Sequence, residues 1–99
     1  MSPNVPSSLK LKVITPQKLL VDEEVQEVSL PSLEGYLGIL PGHRHLLIAI
    51  GEGEISYKHS QKEENFSIQG GYAEILPESV LVFTELRKDQ TNGSDERRG

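Results

Sequence analysis

The stretch Ile55-Ser-Tyr-Lys-His-Ser-Gln-Lys-Glu-Glu-Asn-Phe-Ser-Ile68 decides the fold. Ile55 and Tyr57 alternate with Glu54, Ser56 and Lys58, and after the polar loop His59 to Lys62, Phe66 and Ile68 alternate with Asn65 and Ser67. Side chains on an extended chain point alternately to opposite faces, so a period of two marks a strand with one wet face. Two such runs across a short polar loop mark a β-hairpin. Toward the N-terminus the same grammar repeats. Leu46 to Ile50 is a continuous apolar run, as for a strand buried on both faces. It lies between the turn signals Pro41-Gly42 and Gly51-Glu-Gly53. Before it come the glycine-broken segment Glu34 to Leu40, then Val28 and Leu30 closed by Pro31, then Leu19 to Val21 followed by an acidic patch at Asp22, Glu23 and Glu24. Leu9, Leu11 and Val13 alternate with Lys10 and Lys12 up to Pro16. Toward the C-terminus, Gln69-Gly-Gly71 breaks the chain before Tyr72 to Leu76 and Val80 to Thr84, which Pro77-Glu-Ser79 joins. No stretch carries a 3.6-residue apolar period. Eight or nine short strands, punctuated by Gly and Pro, indicate an all-β protein, an antiparallel β-sandwich or flattened barrel.

Ninety-nine residues make one domain with a small core. The absence of cysteine excludes disulfides, thiolate zinc sites and a cysteine nucleophile. A net charge of -5 argues against a nucleic-acid partner, which needs clustered Lys and Arg. The longest apolar run has five residues, where a membrane span needs roughly 20, so no transmembrane segment is expected. The first eight residues lack the apolar core of a signal peptide and the arginines of a transit peptide, which points to a cytosolic chain or one made inside an organelle. Residues 1–86 carry the strands. Residues 87–99 hold no large apolar side chain and read as a disordered polar tail.

Candidate chemistry is sparse. His43-Arg44-His45 offers two imidazoles for a metal, but a site needs a third ligand, and His59 lies in the hairpin loop. Glu34, Glu52, Glu54 and Glu74 sit near turns, where an acid/base pair would have to assemble; carboxylates at strand edges also serve to deter edge-to-edge association. Gly51-x-Gly53 and Gly70-Gly71 match no phosphate-binding fingerprint, which would need a following helix. No Gly-x-Ser-x-Gly elbow is present. Asn65-Phe-Ser67 and Asn92-Gly-Ser94 fit the glycosylation sequon but have no secretion signal beside them. These residues describe a small acidic β-domain without a visible active site, an interaction module rather than an enzyme. A free-standing sandwich that binds a protein or carbohydrate ligand is the alternative, although five dispersed aromatics make a poor sugar platform.

Four motifs in order sharpen this reading: Glu34-Gly-Tyr-Leu-Gly-Ile-Leu-Pro-Gly-His43, Leu46-Leu47, Gly51-Glu-Gly-Glu-Ile55 and Ile68-Gln-Gly-Gly-Tyr-Ala-Glu-Ile75. Together, from about Leu9 to Glu85, they resemble the N-terminal domain of the epsilon subunit of F-type ATP synthase. The resemblance implies a flattened sandwich of about ten strands. It implies a non-catalytic rotor part that joins the gamma subunit of the central stalk to the c ring and couples proton flow to ATP synthesis. Such a part sits peripherally, in the F1 sector, on the cytoplasmic face of the inner or thylakoid membrane. The loop Leu33 to Gly38 matches the family's c-ring loop, with Glu34 and Tyr36 as contacts. Thr15, His43 and Ile48 match positions on the gamma-facing side, and Pro41, Gly42, Gly70 and Gly71 are structural turn positions. The family often has a second acid where Tyr36 stands, and often Pro where this chain has His45. Family members usually continue into two C-terminal helices that inhibit hydrolysis and in some cases bind ATP. The polar residues Arg87 to Gly99 are too short and too polar for that pair, so neither helical inhibition, ATP binding nor any cofactor is expected of this chain.

Overall fold

The computed structural model describes residues 6–86, so the expected tail at 87–99 lies outside the described residues. Eight strands follow in chain order: β1 (Leu9–Ile14), β2 (Leu19–Val25), β3 (Glu27–Ser32), β4 (Gly35–Ile39), β5 (Leu46–Ala49), β6 (Glu52–His59), β7 (Lys62–Leu76) and β8 (Ser79–Leu86). They hydrogen-bond in the order β2-β1-β8-β7-β6-β3-β4, with β5 also paired to β7.

β7 explains how one ladder makes two layers. Its first half, Lys62 to Gln69, pairs with β6, and its second half, Gly71 to Leu76, pairs with β8, while Tyr72 to Ile75 also pair with β5. Between the halves, Gly70 and Gly71 take φ of +73° and +113°, a left-handed backbone open to glycine at little cost. A Cβ at position 71 would run into the Phe83 carbonyl oxygen, so only glycine fits that bend. One layer is therefore β2-β1-β8-β7-β5 and the other β7-β6-β3-β4. The Ser32–Ile50 bridge and the Gly51 N–H donating to the Pro31 carbonyl at 2.8 Å tie the end of β5 back to β3. Alternate residues of both layers meet in one core: Leu9, Leu11 and Val13 from β1, Val28 and Leu30 from β3, Ile55 and Ile68 from the hairpin, and Ile75, Val80 and Val82 from β7 and β8. The side chains of period two are thus the ones removed from water, at about 25 cal/mol per Å² of apolar area.

The structure corrects several expectations. The described residues form eight strands, within the eight or nine expected from periodicity but short of the ten that the resemblance implies; Gln69–Gly71 bends a single strand instead of separating two. The sandwich is not wholly antiparallel. β1 runs parallel to β8 from Lys10–Ser79 to Ile14–Phe83, because both strands enter from one end, where the Lys10 N–H donates to the Glu78 carbonyl. Pro31 lies inside β3 rather than ending it; β6 pairs only with Glu27 to Ser29, so the N–H that proline lacks is not needed on that side. Gly53 belongs to β6, and the acidic patch Asp22 to Glu24 lies within β2.

Candidate functional site

The registers lay out the outer face of the five-stranded layer rung by rung. The first rung, nearest the Gly70–Gly71 bend, carries Ala49, Tyr72, Phe83, Ile14 and Leu19 across β5, β7, β8, β1 and β2. The second carries Leu47, Glu74, Leu81, Lys12 and Asp22 in the same order. The third carries Leu76, Ser79, Lys10 and Glu24 from β7 to β2. Polarity thus rises from the bend toward the Pro77 turn. Tyr72 and Phe83 stack with ring centroids 5.1 Å apart, and Tyr72, Leu19 and Leu47 are half or more exposed. Beside the stack is a hollow of about 460 Å³ walled by Ile14, Pro16, Phe83 and the glycine bend, with Thr15, Gln69 and Glu85 among its polar lining. A contiguous apolar face of this kind on a small domain marks an interaction surface.

A second feature is the β3–β4 hairpin. Leu33 and Glu34 form its turn, which the Ser32 hydroxyl braces by donating to the Gly35 carbonyl at 2.6 Å and accepting from the Glu34 N–H at 3.2 Å. Leu33 is 72% exposed and Tyr36 62%. The Tyr36 ring nonetheless has a fixed seat. Its hydroxyl accepts the Glu54 N–H at 3.0 Å, and it lies so close over Gly53 that a side chain there would collide with it. The sequence reading took Gly53 for a turn glycine; its place inside β6 is what lets the ring come so close.

The structure brings some expected site residues together and separates others. Glu34 and Tyr36 share the hairpin. Leu33, Glu34 and Ile48 line one hollow of about 260 Å³ at the end of β5. Ile48 points inward and packs on the core; Leu47 and Ala49 are the outward side chains of that strand. Thr15 is 7% exposed and closes the β1–β2 turn, its hydroxyl donating to the Lys18 carbonyl and accepting the Lys18 N–H. His43 stands at the opposite end of β5, in the loop that the Gly42 N–H ties to the Pro77 carbonyl at 2.7 Å. Pro41 and Gly42 shape that loop, with Gly42 at φ +90°. Sequence reasoning missed Leu47, Tyr72 and Phe83 as surface residues.

The candidate chemistry disperses. The His43 Nδ1 bonds the Arg44 carbonyl at 2.8 Å, the His45 Nε2 bonds Glu74 at 3.0 Å, and the His59 Nδ1 bonds the Glu24 carbonyl at 2.8 Å. Among the described residues, no three His, Asp or Glu side chains gather as a metal site would need. Glu34 sits on the hairpin turn, Glu52 and Glu54 on β6, and Glu74 on the other layer, so these four do not converge on a cleft. Tyr57 is the group whose acidity is visibly altered: burial pushes its hydroxyl above the ordinary phenol value, and the Glu23 and Glu64 carboxylates add to the shift.

Fold and surface together define a small β-sandwich with exposed apolar side chains on the outer face of its five-stranded layer. Residues 8–86 match the family model described as the ATP synthase, Delta/Epsilon chain, beta-sandwich domain, and the chain belongs to that family. An ATP synthase epsilon chain of Solibacter usitatus is 40% identical over 82 residues, covering 83% of this chain and 61% of its own length. One from Koribacter versatilis is 36% identical over 78 residues, covering 79% of this chain and 55% of its own. The chain thus spans about three-fifths of the length of these relatives. The fold is also that of a chain in the Euglena gracilis mitochondrial ATP synthase OSCP/F1/c-ring structure, with TM-score 0.76, 24% identity, and 82% and 52% of the two chains covered.

Proposed function

We propose that this chain is the sandwich portion of an epsilon subunit, a non-catalytic rotor component of an ATP synthase. In this reading the outer face of the β5-β7-β8 side docks on the gamma subunit, with Leu47, Tyr72 and Phe83 supplying the apolar contact, His43 beside it ahead of β5, and Thr15 and Ile48 supporting it from the inner side of β1 and β5. The β3–β4 hairpin, through Glu34, Tyr36 and Leu33, meets the loops of the c ring. The subunit rides peripherally in the F1 sector at the cytoplasmic face of the inner or thylakoid membrane and helps couple proton movement to ATP synthesis. The observation that carries the reading is the exposed apolar rung Ala49–Tyr72–Phe83–Ile14–Leu19, in a chain whose family is the delta/epsilon sandwich. Small domains often complete their burial on a partner.

Reconstitution tests it. Added to F1 stripped of epsilon, the chain is expected to co-sediment with the gamma-containing assembly and to restore proton pumping once the membrane sector is joined. It is also expected to raise its own melting midpoint when gamma is added, by mass action, and to show no shift with ATP alone. Failure to bind gamma at about micromolar concentration would return the chain to a free-standing binding domain.

A further inference from the structure

We propose that covering the outer face draws a proton onto the His45–Glu74 pair, so that the chain holds its partner more tightly as pH falls. This rests on the reading that the gamma subunit covers that face. Glu74 stands in register between Leu47 and Leu81, in the middle of the apolar side of the sheet. The His45 Nε2 lies 3.0 Å from its Oε2, and both side chains are open to water in the free chain. An ionised carboxylate has no proton to give, so the neutral imidazole donates through Nε2–H and leaves Nδ1 unprotonated. The pair then carries a net charge of -1. Water tolerates that charge; an apolar partner surface pressed on Leu47 and Leu81 does not. A proton taken from solvent by Nδ1 makes the pair neutral overall and converts its contact into a charge-assisted hydrogen bond, which strengthens as water leaves.

The other charges nearby do not remove this need. Lys12 lies across Leu81 and faces Asp22 in register, and Lys10 is paired to Asp22 at 3.6 Å. Glu85, at the hollow, and Glu78, in the β7–β8 turn, only add negative charge. His43 and Arg44 precede His45 in its loop, and the His43 Nδ1 is turned to the Arg44 carbonyl. The group in direct contact with Glu74 is His45.

The test is titration calorimetry of the chain onto an epsilon-free assembly of alpha, beta and gamma subunits between about pH 6 and about pH 8.5, in buffers of different ionisation heat. Across that range Kd is expected to fall with decreasing pH, by up to about tenfold for each unit, with about one proton taken up per chain bound. Glu74→Gln removes the charge, so its binding is expected to be flat with pH and tighter than wild type at the alkaline end. His45→Gln keeps an N–H donor but cannot take the proton; it is expected to be flat and weak throughout. A flat wild-type profile, or a slope that survives His45→Gln, overturns the proposal while leaving the docking face intact. No binding at any pH removes the docking reading itself.

Discussion

The first and third rungs of the outer face share one backbone and differ in what they carry. The first runs Ala49, Tyr72, Phe83, Ile14 and Leu19, while the third runs Leu76, Ser79, Lys10 and Glu24. Nothing in strand geometry requires the difference, since both rungs cap the same core from outside. The third rung is what a solvated sheet face ordinarily looks like, with Lys and Glu keeping water at the surface. The first leaves apolar area in water that folding alone would not select. The lesson is that the two rungs carry different surfaces, the third one suited to water and the first one, on the reading proposed above, to a partner, with the second rung grading between them.

The largest effect separating the rungs from the scaffold beneath them is expected at the bend. Gly71→Ala puts a Cβ against the Phe83 carbonyl at a φ of +113°, and urea unfolding should show a loss on the order of 3 kcal/mol. That variant breaks the comparison altogether, because the first rung is seated on the bend. Leu47→Ser sharpens it. With Leu47 64% exposed, the melting midpoint should barely move, whereas affinity for the gamma-containing assembly should drop about tenfold in a sedimentation or calorimetric assay. Lys10→Ala, on the third rung, is the matched control. Its ion pair with Asp22 is half exposed, so stability should change by no more than about 0.5 kcal/mol and binding should hold. An equal binding loss from Lys10→Ala and Leu47→Ser would erase the distinction between the rungs. The smallest effect lies away from both. Burial raises the Tyr57 hydroxyl above the ordinary phenol value, so the unfolded chain loses that proton first. Stability should therefore be unaffected by this group below about pH 10 and decline as pH rises beyond it. Tyr57→Phe should remove that part of the alkaline decline in denaturant titrations across the range.

Much of this was legible in the chain. The hairpin around His59 to Lys62, the alternation of β1 and the all-β class follow from period two alone. The layout of β7 did not, because Gly70-Gly71 reads as punctuation; left-handed glycines can bend a strand without ending its ladder, and only the partners on each side reveal which has happened. The parallel β1–β8 pair was hidden for another reason. Pairing between remote segments leaves no periodicity in either one. Of the site, Glu34 and Tyr36 were chosen from the resemblance to the family's c-ring loop, and the structure places both on the β3–β4 hairpin. Leu47 was missed because Leu46 to Ile50 reads as a strand buried on both faces, whereas this sandwich covers one face and leaves Leu47 and Ala49 outside. Ile48 was assigned to the surface from motif position, yet its place in the alternation turns it to the core.

The parallel pairing of β1 with β8 also governs when the chain can fold. Lys10 and Ser79 are partners separated by about 70 residues, and β1 has on its other side only the β2 hairpin. As the polypeptide leaves the ribosome, the first strand made must wait for the last. Until Leu86 has emerged, the β1–β2 hairpin has no sheet to join, and an isolated hairpin is marginally stable at best in water. Closing so long a loop before its contacts form is slow, which puts folding in the range of about milliseconds to seconds, typical of remote strand pairings. A nascent chain stalled before β8 is therefore an open set of strand edges, and protection from association falls to whatever holds it during synthesis.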